Sequence, residues 1–336
     1  MRLTLYFQQM TKLRQCVSPI VQHPLLPSTI VWASGSELLC YNLGTRTLIF
    51  RLKAHTAPIL SVSSSISDGK VHWVTAGEDK RILIHRETGQ DELSREFEYL
   101  HRKKITHAIV DKDVLYFCDM FGEAMSIEYK TGGSVKVLFG HFAVITASMQ
   151  TSRFFITGDK DAKIRVSRYP DTFEIESFCL GHTSYVSHLS LLDETRLLSA
   201  SGDGTLKLWD ALSGNMIKSV SVTESLICCM HTAGSSTYFV TEDSPRTVKV
   251  IDEKMTAENM IDFSTDVQGL FVTGDYIIGV ARESGNLNIV KSGSAWMTDF
   301  QDLPTNQARC LFYKHGGDVN EESESDHSPV GKQPRL

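Results

Sequence analysis

The chain reads Leu180-Gly-His-Thr183 at one point and Ser199-Ala-Ser-Gly-Asp-Gly-Thr-Leu-Lys-Leu-Trp-Asp210 a little further on. A Gly-His pair thus stands about twenty residues before a Ser-Gly-Asp-Gly turn, and a Trp-Asp pair follows the turn. Leu206 and Leu208 alternate with polar neighbours, the period of a strand with one buried face. Asp203-Gly204 predicts a tight hairpin, because both residue types tolerate positive φ.

The same unit recurs upstream. Thr157-Gly-Asp-Lys-Asp161 runs into the alternating stretch Ala162-Lys-Ile-Arg-Val-Ser167 and has its own His141. Thr75-Ala-Gly-Glu-Asp79 runs into Lys80-Arg-Ile-Leu-Ile-His85 and has His55. The step from Asp161 to Asp203 is 42 positions, and the step from Asp79 to Asp161 is 82. A weaker copy therefore belongs near position 121, where Phe117-Cys-Asp-Met-Phe-Gly122 supplies an apolar run and a Gly turn. Outward steps reach Trp32-Ala-Ser-Gly-Ser36, Val240-Thr-Glu-Asp243 and Val280-Ala-Arg-Glu-Ser284. Seven turns at this period resemble the WD repeat, one four-stranded propeller blade per copy. The expected fold is all-β, a seven-bladed WD40 β-propeller with a short disordered acidic C-terminal tail. Residues 1–314 form the ring and 315–336 the tail. The ring must close, and either Leu3-Thr-Leu-Tyr-Phe7 or Arg309-Cys-Leu-Phe-Tyr313 is expected to supply the last outer strand.

Composition agrees with a globular β protein of 336 residues, 41% of them apolar. The tail is polar and acidic, with too little apolar surface to offset its ordering entropy. A formal net charge of −6 argues against a ring that binds nucleic acid strongly by itself. No apolar run approaches the roughly 18 residues of a membrane span. The seven cysteines form an odd set without C-x-x-C pairs, and no Asn-x-Ser/Thr acceptor occurs. These features predict a reduced, intracellular chain with no disulfide framework, no metal site and no cofactor.

His182, Ser199 and Asp203 are also the ingredients of a hydrolase triad. They recur as His141, Thr157, Asp161 and as His55, Thr75, Asp79. A catalytic site occurs once, whereas a structural network occurs once per repeat. His182, Ser199, Asp203 and Trp209 are therefore expected to form a buried hydrogen-bonded tetrad that locks a blade. In the other two copies, Ser167 and His85 replace the Trp. Gly202-Asp-Gly204 lacks the remainder of a phosphate-loop pattern. No enzyme is predicted.

One segment goes beyond the generic repeat: Asp159-Lys-Asp-Ala-Lys-Ile-Arg-Val-Ser-Arg-Tyr-Pro170 followed by Ile175-Glu-Ser-Phe-Cys-Leu-Gly-His-Thr183. Over roughly residues 155–210 the chain resembles the non-catalytic WD-repeat subunit of the eukaryotic tRNA (guanine-N7-)-methyltransferase, the family that includes the fly protein wuho. The resemblance implies a heterodimer with a catalytic subunit that uses S-adenosylmethionine and forms 7-methylguanosine in tRNA. The ring would stabilise that partner and supply no catalytic group. It also implies a nuclear location, with the cytoplasm as a second compartment, and tRNA contact mainly through the partner. By the same resemblance, Lys160, Lys163, Arg165 and Lys207 are expected to bind the partner. Arg165 and Lys207 both lie four residues after a turn Asp, where such repeats commonly carry a cation, so the repeat itself accounts for them equally well. The alternative functions are a substrate receptor of a ubiquitin ligase, or a general interaction scaffold. The receptor reading expects W-D-x-R, and the chain has Trp209-Asp-Ala-Leu212.

Overall fold

Alternating strands need cover on both faces, and the chain obtains it by closing seven sheets into a ring. The computed structural model describes residues 15–16, 20–89, 92–252, 257–282, 284–291 and 297–299. Blade 1 runs from strand Ile20–Gln22 to Thr47–Lys53, blade 2 from Ile59–Ser67 to Leu93–Leu100, and blade 3 from Ile105–Asp111 to Lys136–Gly140. Blade 4 runs from Ile145–Gln150 to Ile175–Leu180, and blade 5 from Val186–Leu191 to Met216–Ser221. Blade 6 runs from Ile227–Ala233 to Ala257–Asp262, and blade 7 from Val267–Thr273 to Met297–Asp299. Each blade is an antiparallel meander of four consecutive strands, the first innermost. Gln15–Cys16 adds a short fifth strand to the inner edge of blade 4. Among the described residues no helix is long and apolar enough to cross a membrane.

The core is divided among the blade boundaries. Among the described residues seven apolar clusters occur, one between each pair of neighbouring blades. Ile164, Val166 and Phe154 of blade 4, for example, meet Leu189, Leu197 and Trp209 of blade 5. Each such side chain, once buried, contributes about 1.5–3 kcal/mol. Ring closure is one more contact of this kind. Ile20, Trp32 and Tyr41 of blade 1 pack on Phe271, Ile278 and Leu287 of blade 7. The Trp32 indole donates to the Gly285 carbonyl at 3.1 Å, and Gln22 donates to Thr273. Blade 7 takes its fourth strand from the residues just after its third, so no exchanged strand is needed. The expected closing segments, Leu3–Phe7 and Arg309–Tyr313, lie outside the described residues, as do the boundary at 314 and the tail.

The expected tetrad is present in blade 5. The Trp209 indole donates to Ser199 Oγ at 2.8 Å, Ser199 bonds His182 Nε2 at 2.7 Å, and His182 Nδ1 bonds Asp203 at 2.9 Å. A single proton direction satisfies the chain: indole to hydroxyl, hydroxyl to imidazole, imidazole to carboxylate. Burial alone would raise the Asp203 pKa. Hydrogen bonds from His182, Thr205 and the Thr183 backbone outweigh it and hold the carboxyl well below the usual range. The connection is a three-residue loop rather than a two-residue hairpin. Gly204 occupies the left-handed position at φ 73°, and a Cβ there would lie 2.2 Å from the Thr223 carbonyl oxygen.

Blade 2 repeats the arrangement with His55, Thr75 and Asp79. Blade 4 departs from expectation. His141 bonds Thr157 at 2.8 Å but takes Asp159, not Asp161, as its carboxylate partner at 2.8 Å. The reason lies at the end of the second strand. In blade 2 that position is Gly77, and a Cβ there would lie only 2.9 Å from His55 Nδ1, so the turn Asp79 reaches in past it. In blade 5 it is Ser201. In blade 4 it is Asp159 itself, which bonds His141 and caps the Lys163 amide, leaving Asp161 exposed at the turn. Blade 3 follows blade 4, with Asp119 at the strand end and His101 as its partner. Phe117 replaces the hydroxyl there, and its ring packs on His101.

These contacts lead to two expectations for stability. Asp159→Ala should destabilise the fold by about 2–4 kcal/mol, like Asp203→Ala, because each leaves a buried imidazole without its acceptor. Asp161→Ala should fall within about 0.5 kcal/mol of wild type in urea denaturation. Acid should weaken the ring earlier than its carboxylates alone would. Burial lowers the pKa of His188 and His231 to about 4 and that of His107 to about 3. Unfolded histidine titrates near 6.5, so the unfolded chain binds the extra protons first. This stabilisation is complete above about pH 6.5 and is lost as pH falls toward 4. Melting temperature measured from pH 7 to 4 should therefore drop steeply in that window.

Candidate partner-docking surface

The third and fourth strands of blade 4 pair as Lys163 with Leu180, Arg165 with Phe178 and Ser167 with Ile175. Residues directly opposite in a ladder share a face. Ile164, Val166 and Cys179 fill the cluster against blade 5. Lys163, Leu180, Arg165, Phe178 and Ile175 therefore take the other face, toward blade 3. The cluster between blades 3 and 4 holds Tyr116, Cys118, Ala124, Phe139, Ile145 and Phe155. It does not reach the outer part of blade 4. Phe173, Ile175, Phe178 and Leu180 remain between 45% and 71% exposed within eight residues of chain. A run of this kind marks an interaction surface more often than a solvated one.

The expected partner residues fall into three environments. Lys160 and Lys163 are exposed, one in the turn and one at the start of the third strand. Arg165 is half-buried. Its guanidinium lies 4.0 Å over the Phe139 ring, donates from Nε to Ser167 Oγ at 2.9 Å and from Nη2 to the Thr172 carbonyl at 3.1 Å. Burial lowers its pKa. Its plane is fixed in advance, so a carboxylate that meets it loses little side-chain entropy. Ser167 stands where blade 5 has Trp209, and its hydroxyl accepts the Arg165 bond.

Lys207 does not join this group. It is buried and donates to Ser219 Oγ at 2.8 Å. Its strand pairs Ser199 with Lys207, which puts it on the side of blade 5 that faces blade 4. The blade 4 sheet stands between it and Arg165. Lys249 of blade 6 does the same, bonding Thr241 at 3.0 Å. A third-strand cation thus bonds within its own blade in both blades 5 and 6, although Lys249 lies six residues, not four, after its turn Asp.

Two features escaped the sequence reading. The apolar stripe at 173–180 looks in sequence like any other strand. The Asp159 and Asp119 partners were missed because the repeat spacing points to the turn positions two residues later, 161 and 121. A further bond anchors the lower end of this boundary: the Tyr169 hydroxyl donates to Asp111 and approaches Tyr116. Among the described residues no group of three or more His, Cys, Asp or Glu is arranged to hold a metal. Cys40, Cys118, Cys179, Cys228 and Cys229 are buried without disulfides.

Arg165→Ala should cost about 1–2 kcal/mol of stability, from two lost hydrogen bonds and the ring contact. Lys160→Ala and Lys163→Ala should each stay within about 0.5 kcal/mol. Chemical denaturation of the three variants checks this division between the half-buried guanidinium and the exposed lysines.

Residues 127–278 match the family model described as the tRNA methyltransferase TRM82 WD40 domain. The tRNA (guanine-N(7)-)-methyltransferase non-catalytic subunit wuho of Drosophila ananassae is 32% identical over 197 residues, covering 55% of this chain and 46% of that protein. The Dictyostelium discoideum non-catalytic subunit wdr4 is 30% identical over 229 residues, covering 57% and 48%. The Drosophila grimshawi wuho protein is 51% identical over 81 residues, covering 24% and 21%. In these matches the chain spans about half or less of each relative's length. A solved structure of the computationally designed protein Ika8 superposes with a TM-score of 0.64 at 17% identity over 89% of this chain and 91% of that one, a likeness of fold alone. Over the matched residues, this propeller is similar in sequence to the non-catalytic WD-repeat subunits of tRNA (guanine-N7)-methyltransferase.

Proposed function

We propose that this ring is the non-catalytic subunit that binds and stabilises the catalytic subunit forming 7-methylguanosine in tRNA. The observation that carries the reading is the open face of blade 4, where Lys163 and Arg165 flank exposed Phe178 and Leu180 on one sheet surface. An apolar centre with cations at its edge suits a partner that presents carboxylates around apolar side chains. Lys160 extends the positive edge, and Lys207, spent on Ser219, is left out of the contact. An ordinary interface of about 800 Å² per partner would cover the stripe.

The ring's contribution is mass action. It binds only the competent shape of the methyltransferase subunit and so raises that population. The histidines, hydroxyls and carboxylates of the tetrads supply no chemistry, because they satisfy one another inside the blades. S-adenosylmethionine and most tRNA phosphate contacts belong to the partner in this reading, and the complex resides in the nucleus.

The test is titration calorimetry of the full chain against the methyltransferase subunit. Wild type should bind. Phe178→Asp or Leu180→Asp should weaken binding about 100-fold, as expected for a central apolar contact, and Lys163→Glu about tenfold, as expected nearer the rim. The melting temperatures should be unchanged. A wild-type ring that binds no methyltransferase, or variants that bind as well as wild type, would end the reading.

A further inference from the structure

The loops above blades 2, 3 and 4 are tied into one ledge by backbone hydrogen bonds. The His101 amide donates to the Lys80 carbonyl, Met120 to Lys104, His141 to Gly122, and Lys160 to Val144, all at 2.8–3.0 Å. Gly122 is in the left-handed region, and a Cβ there would lie 2.3 Å from the Ala143 carbonyl oxygen, so the 121 and 142 loops abut. The ledge presents Lys80, Arg102 and Lys103, all exposed. It also presents two aromatic rings to solvent. Phe142 is wholly exposed, and Phe121 is exposed with the Lys103 ammonium 4.1 Å from its ring centre. A Phe displayed this way gains nothing for the fold. The corresponding loops above blades 5 and 6 carry Glu224, Glu242 and Asp243, all exposed. The upper face therefore carries cations and aromatic rings over blades 2 to 4, where Glu123 and Asp161 are also exposed, and carboxylates over blades 5 and 6, in a chain whose net charge is −6.

Exposed rings interleaved with cations are the chemistry of single-stranded nucleic acid binding, in which bases stack on the rings and phosphates meet the ammonium groups. We propose that this ledge is a direct contact for an unpaired stretch of RNA, with Phe142 and Phe121 as stacking platforms. The choice of RNA rests on the proposed tRNA methyltransferase role; the fit to a polyanion with flat apolar groups rests on the ledge alone. The acidic half of the face keeps the contact short and oriented. It would give the isolated ring weak, salt-sensitive binding, and in the complex it would hold the RNA beside the partner face of blade 4.

The experiment uses the full chain without any methyltransferase, so it stands apart from the partner reading. An unmodified tRNA transcript is titrated at low salt and cross-linked by ultraviolet light, and the cross-linked peptides are mapped. Cross-links should fall on the peptides containing Phe121 and Phe142. The double variant Lys103→Glu/Phe142→Ala should bind about tenfold more weakly and show a shallower salt dependence. Lys218→Glu, the same charge change on the outer strand of blade 5, should bind as wild type. Thermal melts confirm that all three fold. The proposal is overturned if no low-salt binding is seen, if cross-links map elsewhere, or if the two variants weaken binding equally. It is also overturned if polyglutamate competes as well as RNA, which would make the ledge a site for acidic protein.

Discussion

A four-stranded sheet with apolar side chains on both faces cannot exist alone in water, and every other feature of this molecule answers that constraint. Each blade buries its faces only by pressing against two neighbours. The seven apolar clusters are accordingly boundary clusters, and the last of them joins blade 7 to blade 1. The ring closes because its ends have compatible faces, with the Trp32 indole bonded across the seam. The histidine-centred bonds act at a second level. In blades 2 to 5 they fix the loop entering the blade against its inner hairpin, which keeps the faces in register with their neighbours.

That arrangement also explains why an apolar stripe stays open on blade 4. Its boundary with blade 3 has six buried apolar residues, where the boundary between blades 4 and 5 has thirteen. Polar bonds make up the difference: Arg165 on Phe139 above, and Tyr169 on Asp111 below. The outer part of the sheet is left uncovered, and four large apolar side chains stand in solvent there. A surface of this kind is stable in a soluble ring only in small patches, and it is most readily covered by another protein. Ser167 stands at the repeat position of Trp209, and its hydroxyl holds the Arg165 guanidinium at the edge of this face.

The fold was legible in the sequence because its signals are periodic. The turn at Asp203 and its copies gave blade number and spacing, and the four residues picked from that repeat, His182, Ser199, Asp203 and Trp209, stand in one hydrogen-bonded chain. Which carboxylate serves His141 was not legible by counting turns. It depends on whether the strand end two residues earlier is Gly, Ser or Asp, a steric question settled only by the approach of the side chains. Lys207 looked like Arg165 in sequence, since both occupy the same repeat position. Burial separated them: one ammonium is spent on Ser219, while one guanidinium lies at the edge of an open face. The stripe from Phe173 to Leu180 was illegible for a related reason. Alternation shows which residues share a face, not whether a neighbour covers it.

The central claim is that the outer face of blade 4 docks a catalytic companion while the rest of the ring serves to hold that face in shape. Hydrogen–deuterium exchange of the full chain with and without the methyltransferase subunit tests it most directly. The account predicts new protection across residues 160–180, with none on the outer strand of blade 5 at Met216–Ser221. Protection confined to blades 5 to 7, or an exchange pattern that does not change on mixing, would contradict it.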